Sequence, residues 1–191
     1  MEAAAAHAGE EHLAHGPSIG AVRGAATADI QKLLADFAER RRCEGLRVAG
    51  AIEVPAPAGA SFCGRLALKD LASGALFPVT VDLGPGSKAC KLDAAGLTAA
   101  RQSVLQSISR GADLVVLSKF GKVEAEGGGF LDAFGAAAGV GIPCITGVAP
   151  SFAAAFLRYA GGHEQWIGAE ADSLERWWAS CFAPGRVKTA G

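Results

Sequence analysis

A chain of 191 residues is long enough to bury one substantial core and sets one domain as the expectation. Half of it is hydrophobic and 19% is charged, the balance of a water-soluble globular protein and not of a disordered one. A formal net charge of −1 supplies no field to gather nucleic acid or an anionic membrane, so neither is expected as a partner.

The longest apolar region, Phe130 to Tyr159, is interrupted by Asp132, Pro143 and Pro150, whereas a membrane span needs roughly 20 unbroken apolar residues. The N-terminus has no basic stretch leading into an apolar core, as a secretory signal would. Five scattered cysteines (43, 63, 90, 144 and 181) never form C-x-x-C, the pattern of reduced thiols. A cytoplasmic location is therefore expected.

Residues 1–15, MEAAAAHAGEEHLAH, lack apolar periodicity and read as a flexible tail, leaving 16–191 as a single α/β domain. His7, His12 and His15 lie in that tail beside Glu10 and Glu11, where mobility gives poor ligand geometry, so no metal site is predicted. Ser18 to Val22 predicts the first strand, followed by the turn Arg23-Gly24-Ala25-Ala26-Thr27. Ile30, Leu33, Leu34, Phe37 and Ala38 then recur with helical spacing, with Thr27 as N-cap and an end near Gly45. Leu46 to Val54 reads as the second strand, and Phe62–Lys69 with Ala75–Val81 as a hairpin around Asp70–Gly74.

Asp93 is the expected N-cap of a second helix, whose apolar face is Leu97, Ala100, Val104, Leu105 and Ile108. A buried strand over 112–117 runs into the charged stretch LSKFGKVEAEGGGF (117–130). A helix carrying Phe130, Phe134 and Ala137 follows, then a strand over Ile142–Val148 and a helix through Phe156 capped by Ser151. A last helix places Leu174, Trp177, Trp178 and Cys181 on one stripe, read as core packing. Alternating helices and near-continuous apolar strands predict a three-layer, doubly wound, mostly parallel sheet with an inserted β-hairpin.

Such sheets bind ligands at the carboxyl ends of their strands. The candidate ligand-binding residues are accordingly Arg23, Gly24 and Thr27 after the first strand, and Ser118, Lys119, Gly121, Lys122, Glu124 and Glu126 after the later one. The two lysines and the helix beginning near Thr27 suit a small anion or nucleotide. The competing reading makes Lys119–Glu124 and Lys122–Glu126 solvated surface pairs. Cys90, beside Lys91, is a candidate reactive thiol or simply a small apolar residue at a helix entrance. Glu53 and His163 read as structural or solvent-facing. No nucleophile–histidine arrangement can be assembled and no catalytic residue is named, so the cofactor stays unknown and self-association stays open.

Gly45-Leu46-Arg47-Val48-Ala49-Gly50 and Phe120-Gly121-Lys122-Val123-Glu124 resemble the G-x-x-V-x-G strand and x-G-K-x-E motif of the small thermophile-type nucleoside triphosphatases of the P-loop superfamily. The resemblance spans roughly residues 18–160 and implies their fold. The whole chain also resembles an uncharacterised bacterial family found beside molybdate-transport genes, through Ala89–Asp93, Lys119–Gly127 and Gly141-Ile142-Pro143. That resemblance implies a link to molybdenum handling. A working phosphate loop reads G-x-x-x-x-G-K-[S/T], its lysine neutralising phosphate and its hydroxyl holding Mg²⁺. Here no lysine precedes Thr27, Ser118 stands at the magnesium-linked aspartate, and Lys119 at the catalytic glutamate. The expectation is binding without hydrolysis; the alternatives are a divergent hydrolase or phosphotransferase, and a non-catalytic interaction module.

Overall fold

The computed structural model describes residues 19–56, 66–81 and 91–182. The chain enters through β1 (Ile19–Arg23), crosses by α1 (Thr27–Cys43) to β2 (Val48–Pro55), and turns back through β3 (Leu66–Asp70) and β4 (Leu76–Pro78). Two short strands, β5 (Thr80–Val81) and β6 (Lys91–Leu92), pair separately before α2 (Ala94–Ser109). Then come β7 (Leu114–Phe120), the single turn α3 (Lys122–Ala125), α4 (Leu131–Gly139) and β8 (Cys144–Val148). A 3-10 turn at Pro150–Phe152 leads to α5 (Ala153–Ala160), β9 (Glu164–Gly168) and α6 (Ala171–Cys181).

One seven-stranded sheet has the order β4-β3-β2-β7-β8-β1-β9. Its five strands β2-β7-β8-β1-β9 are parallel, and β3 and β4 extend it as the expected antiparallel hairpin. Buried side chains alternate between two cores along each strand. Val22, Leu114, Val116 and Ile145 meet α1 and α6, whereas Ala21, Val115, Leu117 and Cys144 meet α2, α4 and α5. The three-layer, mostly parallel arrangement read from the sequence is the observed one.

The outgoing chains of β1 and β8 leave for opposite faces, α1 on one and α5 on the other. The carboxyl ends of these neighbouring strands therefore form the switch point at which doubly wound sheets bind ligands.

Several local expectations are corrected. Ala26 is the N-cap of α1 and gives no side-chain cap bond, so Thr27 is the first helical residue. Ser118, Lys119 and Phe120 continue β7 and do not form a loop. Ser151 sits in the 3-10 turn and makes no cap bond to α5. Strand β9 has no counterpart in the sequence reading. Asp93 does cap α2, its Oδ1 accepting from Ala95 N at 2.9 Å. The tail, Cys63 and Cys90 lie outside the described residues.

Candidate functional site

The predicted residues fall into two groups at the carboxyl edge. Arg23, Gly24 and Thr27 occupy the β1–α1 turn, where only residues 24–26 separate strand from helix. Arg23 is exposed, and its guanidinium carbon stands 4.5 Å from the centroid of the Trp166 ring on β9. Gly24 takes φ +100°, a conformation glycine tolerates, and a Cβ there would meet nothing within 4 Å. Because Ala26 has no polar side chain, the first-turn N–H groups of α1 have no side-chain cap.

The second group gathers at the end of β7. The β7–β8 pairing slips between Leu117 and Lys119, so Ser118 is the extra residue of a β-bulge. Gln31 of α1 pins this bulge: its Nε2 donates to the Ser118 carbonyl, while its Oε1 accepts from Glu53 N at 3.2 Å. Beyond the bulge, the Lys119 ammonium lies 2.5 Å from Glu53 Oε1 on the neighbouring strand β2. Lys119 therefore pairs with Glu53 and not with Glu124.

Glu124 is buried, its Oε2 accepting from Gly121 N at 2.9 Å and its Oε1 from Phe130 N at 3.2 Å. Both oxygens are thus occupied in shaping the β7–α4 connection. Lys122 and Glu126 lie 3.8 Å apart with their side chains largely in solvent, the pairing expected of a surface turn. Ser118, Lys119, Gly121, Lys122 and Glu124, together with Glu53, border a cavity of ≈ 380 Å³ on the α2/α4 face. Glu126 does not border it.

Two residues that shape this edge were missed as such in the sequence. Gln31 shares the inner face of α1 with Leu34, Ala38 and Arg41, and a polar residue on that stripe was the available signal. Glu53 ends the apolar run Val48–Ile52, where a carboxylate calls for a partner. Among the described residues, no group of three or more His, Cys, Asp or Glu converges on a point that could hold a metal ion, and no helix is long and apolar enough to cross a membrane.

The parallel order β2-β7-β8-β1-β9 places a strand–turn–helix opening at the switch point. The crystal structure of THEP1 from the hyperthermophile Aquifex aeolicus has a similar fold, with a TM-score of 0.60 over 87% of this chain and 99% of that one. At 12% identity, that likeness is one of fold. The chain belongs to the family described as "Protein of unknown function (DUF2478)", which matches residues 19–177. It is also 35% identical over 150 residues to the molybdenum import ATP-binding protein ModC 2 of Bradyrhizobium diazoefficiens. The matched stretch is 78% of this chain and 17% of that protein, so the similarity occupies one segment of a much longer relative.

Proposed function

We propose that this protein binds a nucleotide or a small oxyanion at the carboxyl edge of its sheet without hydrolysing a triphosphate, and that it acts in molybdenum handling. The observation that carries the reading is the state of the carboxylates around the end of β7. Glu124 gives both oxygens to backbone N–H groups, and Glu53 is held by Lys119. Metal-assisted phosphoryl transfer needs acidic groups available to hold Mg²⁺ and orient the attacking water. Both of these acids are committed elsewhere.

Binding itself is assigned to the β1–α1 turn. Its uncapped N–H groups and the positive end of α1 favour an anion, and Arg23 stands beside them. The absence of a lysine between Gly24 and Thr27 leaves Arg23 as the cation of that turn. The molybdenum assignment rests on similarity to a segment of a protein named for molybdenum import.

A thermal-shift panel of ATP, GTP, phosphate, sulfate, molybdate and tungstate tests the reading on the full chain. At least one anion should raise the melting temperature, since a ligand of the folded state stabilises it. Arg23→Ala should weaken that anion about tenfold, the worth of one charge-assisted hydrogen bond. A flat panel would sink the proposal.

A further inference from the structure

The cavity at the ends of β2 and β7 has a chemistry different from the β1–α1 turn. Leu68, Val79, Leu97, Phe130 and Phe152 make its walls apolar. Its enclosed polar feature is the Glu53–Lys119 pair, with the Glu53 side chain 14% exposed and that of Lys119 43% exposed; Lys122, also on its border, lies 3.8 Å from Glu126 with its side chain largely in solvent. The pair is electrically neutral as a unit. An anion entering here would have to pull Lys119 away from Glu53 and leave a largely buried carboxylate uncompensated, which is strongly unfavourable. The pair therefore disfavours an anion at Lys119, the ligand that this lysine alone would suggest.

What the pair retains is hydrogen-bonding capacity. Lys119 has three N–H donors and forms an ion pair with Glu53 Oε1, while Glu53 Oε2 has no partner among the described residues. A donor and an acceptor thus stand side by side at the rim of an apolar chamber. Their complement is a molecule presenting an acceptor next to a donor on one edge, as a lactam presents C=O beside N–H. Two phenylalanines and five aliphatic side chains around it favour a flat ring system. At ≈ 380 Å³, near the lower end of the roughly 300–1,000 Å³ of small-molecule sites, the cavity suits one or two fused rings.

We infer that this cavity binds an uncharged planar heterocycle through a lactam edge, a ligand of the nucleobase type, with Lys119 donating to its carbonyl and Glu53 accepting from its ring N–H. The site is distinct from the anion-binding turn, because its walls belong to the α2/α4 core whereas the turn opens the α1/α6 side. The inference stands whether or not that turn binds an oxyanion.

Calorimetric titration of the full chain at neutral pH with hypoxanthine, indole and benzoate tests it. Hypoxanthine has the lactam edge, indole only a ring and a donor, and benzoate a negative charge. Hypoxanthine should bind, indole at least tenfold more weakly, and benzoate not at all. In Glu53→Gln the freed Lys119 charge should reverse the order, with hypoxanthine weakened tenfold or more and benzoate now bound. Leu97→Phe should fill the chamber and abolish hypoxanthine binding while leaving the response to the anion panel unchanged, which separates this inference from the proposed function. If Glu53→Gln fails to fold, Leu97→Phe and the three-ligand comparison decide the matter alone. No heat with hypoxanthine, indole binding as tightly, benzoate binding to the wild type, unchanged hypoxanthine affinity in either variant, or no gain of benzoate in Glu53→Gln would each overturn the inference.

Discussion

Glu124 has the sequence position of a functional acid and the contacts of a structural one. Its carboxylate accepts from Gly121 N and Phe130 N, closing the turn between β7 and α4 from inside. Glu124→Ala would orphan two buried donors, each costing about 1–3 kcal/mol. Unfolding in denaturant should therefore show a loss of about 2 kcal/mol or more; an unchanged midpoint would mean that those N–H groups find water instead. At the opposite edge, Asp113 accepts from Arg47 N at 2.8 Å, Nε at 3.2 Å and Nη2 at its other oxygen at 2.9 Å. The side-chain and backbone hydrogen bonds from Arg47 hold the Asp113 carboxyl below its ordinary value, against a smaller opposing effect of burial. A depressed carboxyl contributes stability that is complete above the unfolded value near pH 4 and is lost as pH falls through the folded one. The stability gap between wild type and Asp113→Asn should thus hold from neutral pH to about pH 4 and shrink below it. A gap that widens on acidification would contradict this. The charges of the 117–130 stretch and the Lys122–Glu126 pair were visible in the sequence, but not the partners of Lys119 and Glu124. Glu53 lies 66 positions before Lys119, and only the β2–β7 register brings the two together.

The two glycines of Gly45-Leu46-Arg47-Val48-Ala49-Gly50 serve different elements. Gly45, at φ +87°, ends α1: its N–H donates to Arg42 O at 2.9 Å, and Leu46 N donates to Arg41 O at 3.1 Å. That is a Schellman closure, which needs a left-handed residue at this place. Gly50, at φ +126°, lies inside β2 where a Cβ would overlap the Val116 carbonyl of β7. Gly50→Ala combines backbone strain with a clash inside the parallel pair, and should cost at least about 2 kcal/mol or prevent folding. Wild-type stability in that variant would mean that the strands part without penalty. Elements with strong periodicity were legible from the sequence: α1, α2, the hairpin and β7 all fall close to their expected places. The exceptions have local causes. Strand β9, Glu-Gln-Trp-Ile-Gly, has too few apolar residues to display a period, and its place is fixed by pairing with β1 alone in the sheet. The end of β7 looked like a loop because Lys119 and Gly121 interrupt the apolar run, but a bulge at Ser118 lets the strand continue.

At the scale of the molecule, one sheet separates the two proposed ligand sites. The β1–α1 turn opens between β1 and β8 with Arg23 and the amino end of α1, while the apolar cavity opens between β2 and β7 with a neutralised lysine. The alternation of elements made the doubly wound class legible. It did not reveal that the candidate residues divide between the β1–α1 turn and the end of β7, because strand order sets their separation: β8 stands between β1 and β7. The same order explains why hydrolysis is not expected. Glu53 and Glu124, at the ends of β2 and β7, lie beyond β8 from that turn and are already bonded to Lys119, Gly121 and Phe130. The most direct measurement is phosphate release from ATP and GTP with Mg²⁺, made at protein concentrations where an anion of the panel raises the melting temperature. No release above a protein-free blank is expected. Turnover above that blank, abolished by Glu53→Gln, would contradict it and make the β7 edge a catalytic centre.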